Sequence, residues 1–171
     1  MDILNLNKKI ILIINATFFL FFSCGEDKDL DCTYVNLRTS IIIDDFQPND
    51  TEIKNTYLLI YTNDGFKNKT DSIIPNSIFN LHKRNKGDYF KNRVEFNFDD
   101  TTLNTKHNYI LVTNNKTKYM ISDYTFKQEY RGMMFKVGKE CVVDSIKVNN
   151  DYNNINGAAL WFSKNLGVPL K

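Results

Sequence analysis

Apolar and polar residues alternate with a period of two along most of the chain after residue 31, a pattern that predicts β-strands. The alternation is clearest over residues 92–98, which have two opposed sets of side chains: Val94, Phe96 and Phe98 inward, and Arg93, Glu95 and Asn97 outward. Further strands are predicted over residues 33–43, 56–62, 107–113, 116–122, 124–131, 133–137 and 140–148. Turn residues separate the strands, as at Asn63-Asp64-Gly65 and Thr113-Asn114-Asn115.

Four segments lead to finer predictions. Residues 56–62 are apolar on both faces, as expected of a strand deep inside a sandwich. Alternation over residues 140–148 predicts two opposite faces: Val142, Ile146 and Val148 on one, and Cys141, Val143 and Ser145 on the other. Residues 76–84 fit either a single helical turn or a loop. The apolar residues around Trp161, at 157–162, predict a final edge strand or a segment folded over the sandwich. The alternative is an exposed aromatic patch that docks a partner.

These seven or eight short strands predict an all-β fold, an antiparallel β-sandwich of immunoglobulin-like or Greek-key type. No stretch of ten residues has a convincing helical period. The Cys–Trp–Cys order of antibody domains is missing, because Trp161 follows both Cys32 and Cys141. Residues 32–171 have the length of a single domain.

The first residues of the chain follow a different pattern. A pair of lysines precedes an apolar run at 10–22, and Ser23 is the small residue that a signal peptidase needs before its cleavage point. With Cys24, the segment resembles a bacterial lipobox in which Phe21 replaces the usual leucine. The resemblance implies that residues 1–23 are a signal peptide and that Cys24 carries fatty-acid chains such as palmitate.

The apolar run also fits an uncleaved transmembrane anchor or a plain secretory signal. A helix that crosses ~30 Å of hydrocarbon needs about 20 apolar residues, and this run is shorter. Two acyl chains attach a protein durably, because each buried CH₂ contributes ~0.8 kcal/mol. We therefore expect a protein that is held at a membrane by lipid and does not span it.

Residues 24–31 are acidic and have little to bury, which predicts a solvated tether. An acidic cluster directly after the lipidated cysteine resembles the surface-export signal of Bacteroidota lipoproteins. The alternative is an ordinary acidic linker that leaves the protein on the periplasmic face. We expect an outer-membrane lipoprotein and favour surface exposure over the periplasmic position.

Charge bears on the class of partner. The whole chain has 22 basic and 20 acidic side chains and a formal net charge of +2. Removal of residues 1–23 takes away Lys8, Lys9 and Asp2, which leaves 20 basic and 19 acidic side chains. This near-neutral balance argues against a dedicated nucleic-acid binder, for which a strong basic excess is expected.

The cysteines agree with an exported location. If Cys24 carries lipid, Cys32 and Cys141 remain as an even pair in an oxidising compartment, which predicts a disulfide. The alternative is two unpaired buried thiols. No spacing of cysteine and histidine indicates a metal site, and we expect no cofactor.

The sequence offers little for catalysis. His82 and His107 are the only imidazoles, and neither has a fixed spacing to a nucleophile, so we expect surface histidines. The acidic pairs at 44–45 and 99–100 lack the ligand spacing of a known Ca²⁺ loop and fit turns at strand ends. We therefore assign no catalytic or metal-binding residue.

A basic stretch with interspersed aromatics, within residues 66–91, is the one local bias of the folded part. Aromatic faces and cationic donors together suit glycans or anionic polymers, and long connections often carry binding surfaces. The alternative is a solvated loop with a few core aromatics. The candidate ligand surface consists of Lys67, Lys69, Lys83, Arg84, Lys86 and Tyr89.

Together these features favour a non-enzymatic binding or accessory module of the cell envelope, with a glycan or protein ligand and with the membrane as partner through the lipid. The alternative is a structural component or an inhibitor within a larger envelope complex. An enzyme ranks third, because the sequence contains no arguable nucleophile–base pair or pair of catalytic acids.

Overall fold

The computed structural model describes residues 29–45, 55–81, 93–98, 103–133, 136–155 and 159–170. Within these ranges the chain forms eleven strands and one 3₁₀ turn at Lys164–Leu166. The strands in chain order are β1 (Ser40–Asp44), β2 (Tyr57–Thr62), β3 (Lys69–Ile73), β4 (Ser77–Leu81), β5 (Arg93–Asn97), β6 (His107–Thr113), β7 (Thr117–Met133), β8 (Lys136–Val148), β9 (Asp151–Asn154), β10 (Leu160–Ser163) and β11 (Val168–Pro169).

The strands form two sheets. The small sheet has four strands in the order β10-β1-β5-β4, and the large sheet has seven, in the order β3-β2-β6-β7-β8-β9 with β11 beside β7. Neighbouring described strands pair antiparallel, except that β1 and β10 are parallel. The predicted all-β antiparallel sandwich is confirmed, with eleven strands where the pattern indicated seven or eight.

The hydrophobic core lies between the two sheets, because each strand turns alternate side chains toward the other sheet. The small sheet contributes Ile41, Ile43, Val94, Phe96, Leu160 and Phe162. The large sheet contributes Leu58, Ile60, Tyr109, Leu111, Tyr119, Ile121, Val143, Ile146 and Val148. The rings of Tyr119 and Phe162 meet across the interface with their centroids 5.3 Å apart. Each such buried side chain contributes roughly 1.5–3 kcal/mol.

Several short strands were not predicted because they lack a run of apolar residues. β3 and β9 are edge strands of mostly exposed polar residues, held by backbone pairing to β2 and β8. Residues 77–81, expected as a helical turn or loop, instead form β4, where Ile78 packs against the core. The first predicted strand begins at Ser40 rather than at residue 33, after an isolated bridge between Asn36 and Asn104.

A β-bulge changes which side chains of β8 reach the core. Phe126 pairs with Val143 while the preceding residue of β7 pairs with Ser145, so Asp144 is an extra residue on β8. A bulge of one residue shifts the alternation of side chains by one position. Val143 therefore lies in the core together with Ile146, and the prediction that these two residues face opposite sides is wrong.

Cys32 and Cys141 form a disulfide with their Cα atoms 5.5 Å apart, as predicted. The bond joins positions separated by 109 residues. In the chain-entropy model, closing a loop of about this size stabilises the folded state by about 4.7 kcal/mol. The bond also attaches the segment before β1 to the middle of β8.

The edge strands of the two sheets define two sides of the sandwich. On the first side the chain passes from β3, an edge of the large sheet, to β4, an edge of the small sheet. On the second side it passes from β9 to β10, the two remaining edges. There the Asn153 side-chain amide donates a 2.7 Å hydrogen bond to the Trp161 carbonyl, which links the two sheets.

The predicted signal peptide (1–23) and Cys24 lie outside the described residues, and the domain boundaries likewise stay predictions. The last residues of the predicted tether, 29–31, are described and touch β7 and β8. Among the described residues, no helix is long and apolar enough to span a bilayer.

Gly167 lies where β7 leaves no room for a side chain. A Cβ at this position would stand 2.6 Å from Thr117 Cγ2 and 2.8 Å from the Tyr119 ring. We expect Gly167→Ala to lower the free energy of unfolding by about 1–3 kcal/mol, because the core must shift to accept the methyl group. Urea unfolding measures the loss. Gly138→Ala is the matched control, since a Cβ there has no neighbour within 4 Å among the described residues; equal losses in the two variants would contradict the account.

Tyr109 makes stability depend on pH in the alkaline range. Burial raises the pKa of Tyr109 to about 12, and its hydroxyl accepts from the Asn104 N–H and donates to the Asn104 carbonyl, both at 2.8 Å. Burial also raises the pKa of Tyr124 well above its ordinary value. Between the ordinary pKa of about 10 and these raised values only the unfolded chain loses the protons, so stability falls as pH rises.

We expect Tyr109→Phe to be less stable at neutral pH by about 1 kcal/mol, because both hydrogen bonds are lost. Its stability should also fall less steeply than that of the wild type between pH 10 and about 12, because a phenol whose pKa is raised by burial is no longer present. Urea unfolding along a pH series measures both effects. Tyr130→Phe, at an exposed position, should change neither. An unchanged alkaline slope in Tyr109→Phe would refute the role assigned to this phenol.

Candidate functional site

The outer face of the small sheet carries a row of large side chains across all four strands. Ile42 on β1 pairs with Trp161 on one side and with Glu95 on the other, and Glu95 pairs with Phe79. Their inward neighbours fill the core, so these four side chains point outward. The row therefore combines two aromatic rings, one aliphatic side chain and one carboxylate. We call these four residues, with Arg93 and Asp44 of the next row, the Trp161 face.

Arg93 and Asp44 hold the indole in place. The Arg93 guanidinium carbon lies 4.4 Å from the centroid of the Trp161 ring, a cation–π stack. Arg93 Nε also lies 3.5 Å from Asp44 Oδ1, and both side chains are largely buried. Because Asp44 balances the charge of Arg93, the guanidinium group can lie against the indole in a largely buried environment. The contact restricts the positions open to the ring.

A cavity of about 300 Å³ lies beside Trp161, where β10 meets β9. Its described lining includes Asp44 and Ser163 from the small sheet and Asn153 and Asn154 from β9. The Asn153 amide is oriented by its hydrogen bond to the Trp161 carbonyl. Ile155 and Phe162 complete the described lining, so the cavity combines apolar and aromatic residues with an aspartate, a serine and two asparagines.

This combination suits a polyhydroxylated ligand. Aromatic rings offer an apolar face to the C–H side of a flat ligand ring, while carboxylate, amide and guanidinium groups pair with its hydroxyls. Binding sites of small molecules commonly combine apolar walls with a few fixed polar groups in this way. The row on the outer face lengthens the candidate binding surface, because Phe79 lies at the opposite end of the row from Trp161.

A second cavity, of about 380 Å³, lies at the turn between β6 and β7. Its described lining is mostly polar and includes Lys116, Lys164, Asn114 and Asn165. Tyr119 also lines it, but this side chain is fully buried in the core. The second cavity therefore offers charge and amides without an exposed aromatic face.

The structure describes two residues of the predicted basic surface, Lys67 and Lys69, and it does not bring them to Trp161. Lys67 and Lys69 are exposed at the β2–β3 hairpin, on the β3–β4 side and away from β9 and β10. The nearby Phe66 ring packs edge-on against Tyr61, with centroids 5.6 Å apart. The other four residues of that surface, Lys83, Arg84, Lys86 and Tyr89, lie outside the described residues.

The other candidate residues fall into separate places. His107 opens β6, half-buried, with Nδ1 3.3 Å from the Tyr61 carbonyl oxygen. Asp44 faces Arg93 rather than a cation site. His82 and the acidic pair 99–100 lie outside the described residues. Within the described part of the chain, no three His, Cys, Asp or Glu side chains are grouped as metal ligands would be.

Sequence reasoning identified Trp161 and the outward direction of Arg93, but it did not connect them. Their contact depends on β1 lying between β5 and β10, and on the parallel pairing of β1 with β10. Asn153 was missed because nothing in a short polar segment marks it as a strand. Asn153 could be assigned to a strand only from the pairing register of β9 with β8, and the sequence alone does not contain this register.

The chain matches no protein-family model, no curated protein and no solved structure at a significant level. Its function is therefore inferred from its own residues.

Proposed function

We propose that this protein is a lipid-anchored, non-enzymatic glycan-binding module of the bacterial cell envelope. In this proposal Cys24 carries the lipid at the outer membrane, with surface exposure favoured, and the Trp161 face binds the glycan. The observation that carries the binding role is the stack of Arg93 on Trp161 beside a cavity lined by amides and a carboxylate.

The lipid anchor is supported by the lipobox-like segment that ends at Cys24. The disulfide between Cys32 and Cys141 supports an oxidising compartment, because such bonds are rare in the cytosol. With this pair joined to each other, Cys24 is the one remaining cysteine of the chain and is available for acylation.

Binding without chemistry is supported by the way in which the polar groups around Trp161 are used. Asp44 lies against Arg93, so its carboxylate balances a charge instead of serving as a general acid or base. Asn153 orients the edge of β10 through its hydrogen bond to the Trp161 carbonyl. Hydroxyl groups of a sugar would meet groups that are already oriented, which lowers the entropic cost of binding.

The second candidate function is that of a structural component within a larger envelope complex. The observation that favours it is the presence of Ile42 and Phe79 in the same row, since Phe79 is 49 % exposed and would also fit an apolar protein surface. A protein partner would cover the whole row, whereas a glycan needs the indole and the cavity beside it.

We expect Trp161→Ala to weaken glycan binding at least about tenfold, because central aromatic contacts commonly contribute about 2 kcal/mol or more. An array of bacterial, plant and host glycans, probed with the full chain in detergent, identifies the ligand, and calorimetry compares the variants. Tyr34→Ala is the matched control. Tyr34 is an exposed aromatic with the Lys106 ammonium 3.9 Å from its ring centroid, and it belongs to neither the row nor the cavity.

The control variant should bind as the wild type does. Undiminished binding by Trp161→Ala would remove the Trp161 face as the glycan site. Absence of any glycan signal, together with one stoichiometric protein that co-purifies with the wild type and not with Trp161→Ala, would favour the structural role.

A further inference from the structure

The last part of β7 and the first part of β8 form a two-stranded arm that extends beyond the rest of the large sheet. β6 pairs with β7 only as far as Ile121, and β9 pairs with β8 only from Ser145 onward. Beyond these points, as far as the pair of Met133 with Lys136, the described residues of β7 and β8 pair with each other, as Gln128 does with Cys141. We call residues 128–133 and 136–141 the β7–β8 arm.

The chain before β1 runs along this arm toward its turn. Cys32 is bonded to Cys141, at the level of Gln128. The Leu30 carbonyl accepts a 2.9 Å hydrogen bond from the Gln128 side chain. Asp29 Oδ1 lies 3.0 Å from Lys139 Nζ, and Lys139 is two paired positions nearer the turn than Cys141. Moving from Cys32 back to Asp29 therefore means moving away from the sandwich.

Chain length limits where Cys24 can be. Five peptide units separate Asp29 from Cys24, and even a fully extended chain covers at most about 18 Å over this distance. By comparison, Lys147, which pairs with Tyr152 of β9, is eight residues along β8 from Lys139, or about 26 Å at ~3.3 Å per residue. A lipid on Cys24 is thus held closer to the arm than to the pair of Lys147 with Tyr152.

From this geometry we infer that the β7–β8 arm is the membrane-facing surface of the protein and rests on lipid headgroups once Cys24 is acylated. The inference rests on the proposed lipid anchor. Tyr130 is 60 % exposed on the arm, and tyrosine is enriched where a protein meets the headgroup region. The ion pair between Lys139 and Asp29 balances charge beside it, which reduces the cost of approaching the bilayer.

The orientation has a consequence for the Trp161 face. Asn153, which bonds to Trp161, pairs with Ile146, seven residues along β8 from Lys139. At ~3.3 Å per residue the cavity lies up to about 23 Å along β8 from the part of the arm that contacts Asp29. The anchor would thus present the proposed glycan site away from the membrane.

Energy transfer from a single tryptophan to the bilayer tests the orientation. The full chain, acylated in a bacterial host, is reconstituted in vesicles of phosphatidylethanolamine and phosphatidylglycerol that contain dansyl-labelled phosphatidylethanolamine. In a Trp161→Phe background, Tyr130→Trp reports on the arm and Tyr152→Trp on β9. The two positions are matched, because these tyrosines are 60 % and 64 % exposed and each has a lysine ammonium 5.8 Å from its ring centroid.

We expect energy transfer from position 130 to be at least several-fold more efficient than from position 152. Equal transfer, or stronger transfer from position 152, in protein that floats with the vesicles would overturn the inference and leave the lipid anchor intact. Protein that fails to float with the vesicles would remove the anchor of the proposed function and the inference with it.

Hydrogen exchange on the acylated wild-type chain provides a second measurement that does not depend on how the tryptophan variants fold. We expect the amides of residues 128–133 to exchange more slowly in vesicles than in detergent monomers, and those of β9 to be unchanged. If exchange in vesicles is slower in β9 and unchanged in the arm, the inference is contradicted.

Discussion

The covalent bond between Cys32 and Cys141 is the constraint on which most of the structure depends. Net stabilities of single domains are about 5–15 kcal/mol, so a bond that contributes as much as about 4.7 kcal/mol is a large share of the total. The same bond decides where the chain enters the sandwich. It fixes residues 29–32 against the β7–β8 arm, and it thereby determines which end of the protein a lipid on Cys24 would hold at a membrane.

The location of the proposed site depends on which faces of the two sheets are buried and which are exposed. Their inner faces are filled by the core, so recognition is left to outer faces, edges and loops. The outer face of the small sheet carries the row from Trp161 to Phe79, and its edge at β10 meets β9 through Asn153. Arg93 stabilises the indole from the neighbouring row through a cation–π contact, and Asp44 balances the charge of Arg93.

Much of the fold could be predicted from the sequence, since alternation in segments such as 92–98 reports directly on which side chains are buried. The bulge at Asp144 could not be predicted, because an extra residue on one strand is visible only in its pairing with β7. β9 was also missed, since the polar segment around Asn153 forms a strand only against β8. The contact of Arg93 with Trp161 was not predictable for the same kind of reason: it requires knowledge of which strands are neighbours. The basic residues Lys67 and Lys69, conspicuous in the sequence, lie on the other side of the sandwich.

Mass mapping of peptides from the protein purified out of cell envelopes, without reduction, tests the central claim most directly. The account predicts a diacylated N-terminal peptide that begins at Cys24 and a single cross-linked pair of peptides that contain Cys32 and Cys141. An unmodified Cys24 within an intact leader, or a disulfide that joins Cys24 to either of the other two cysteines, would contradict it.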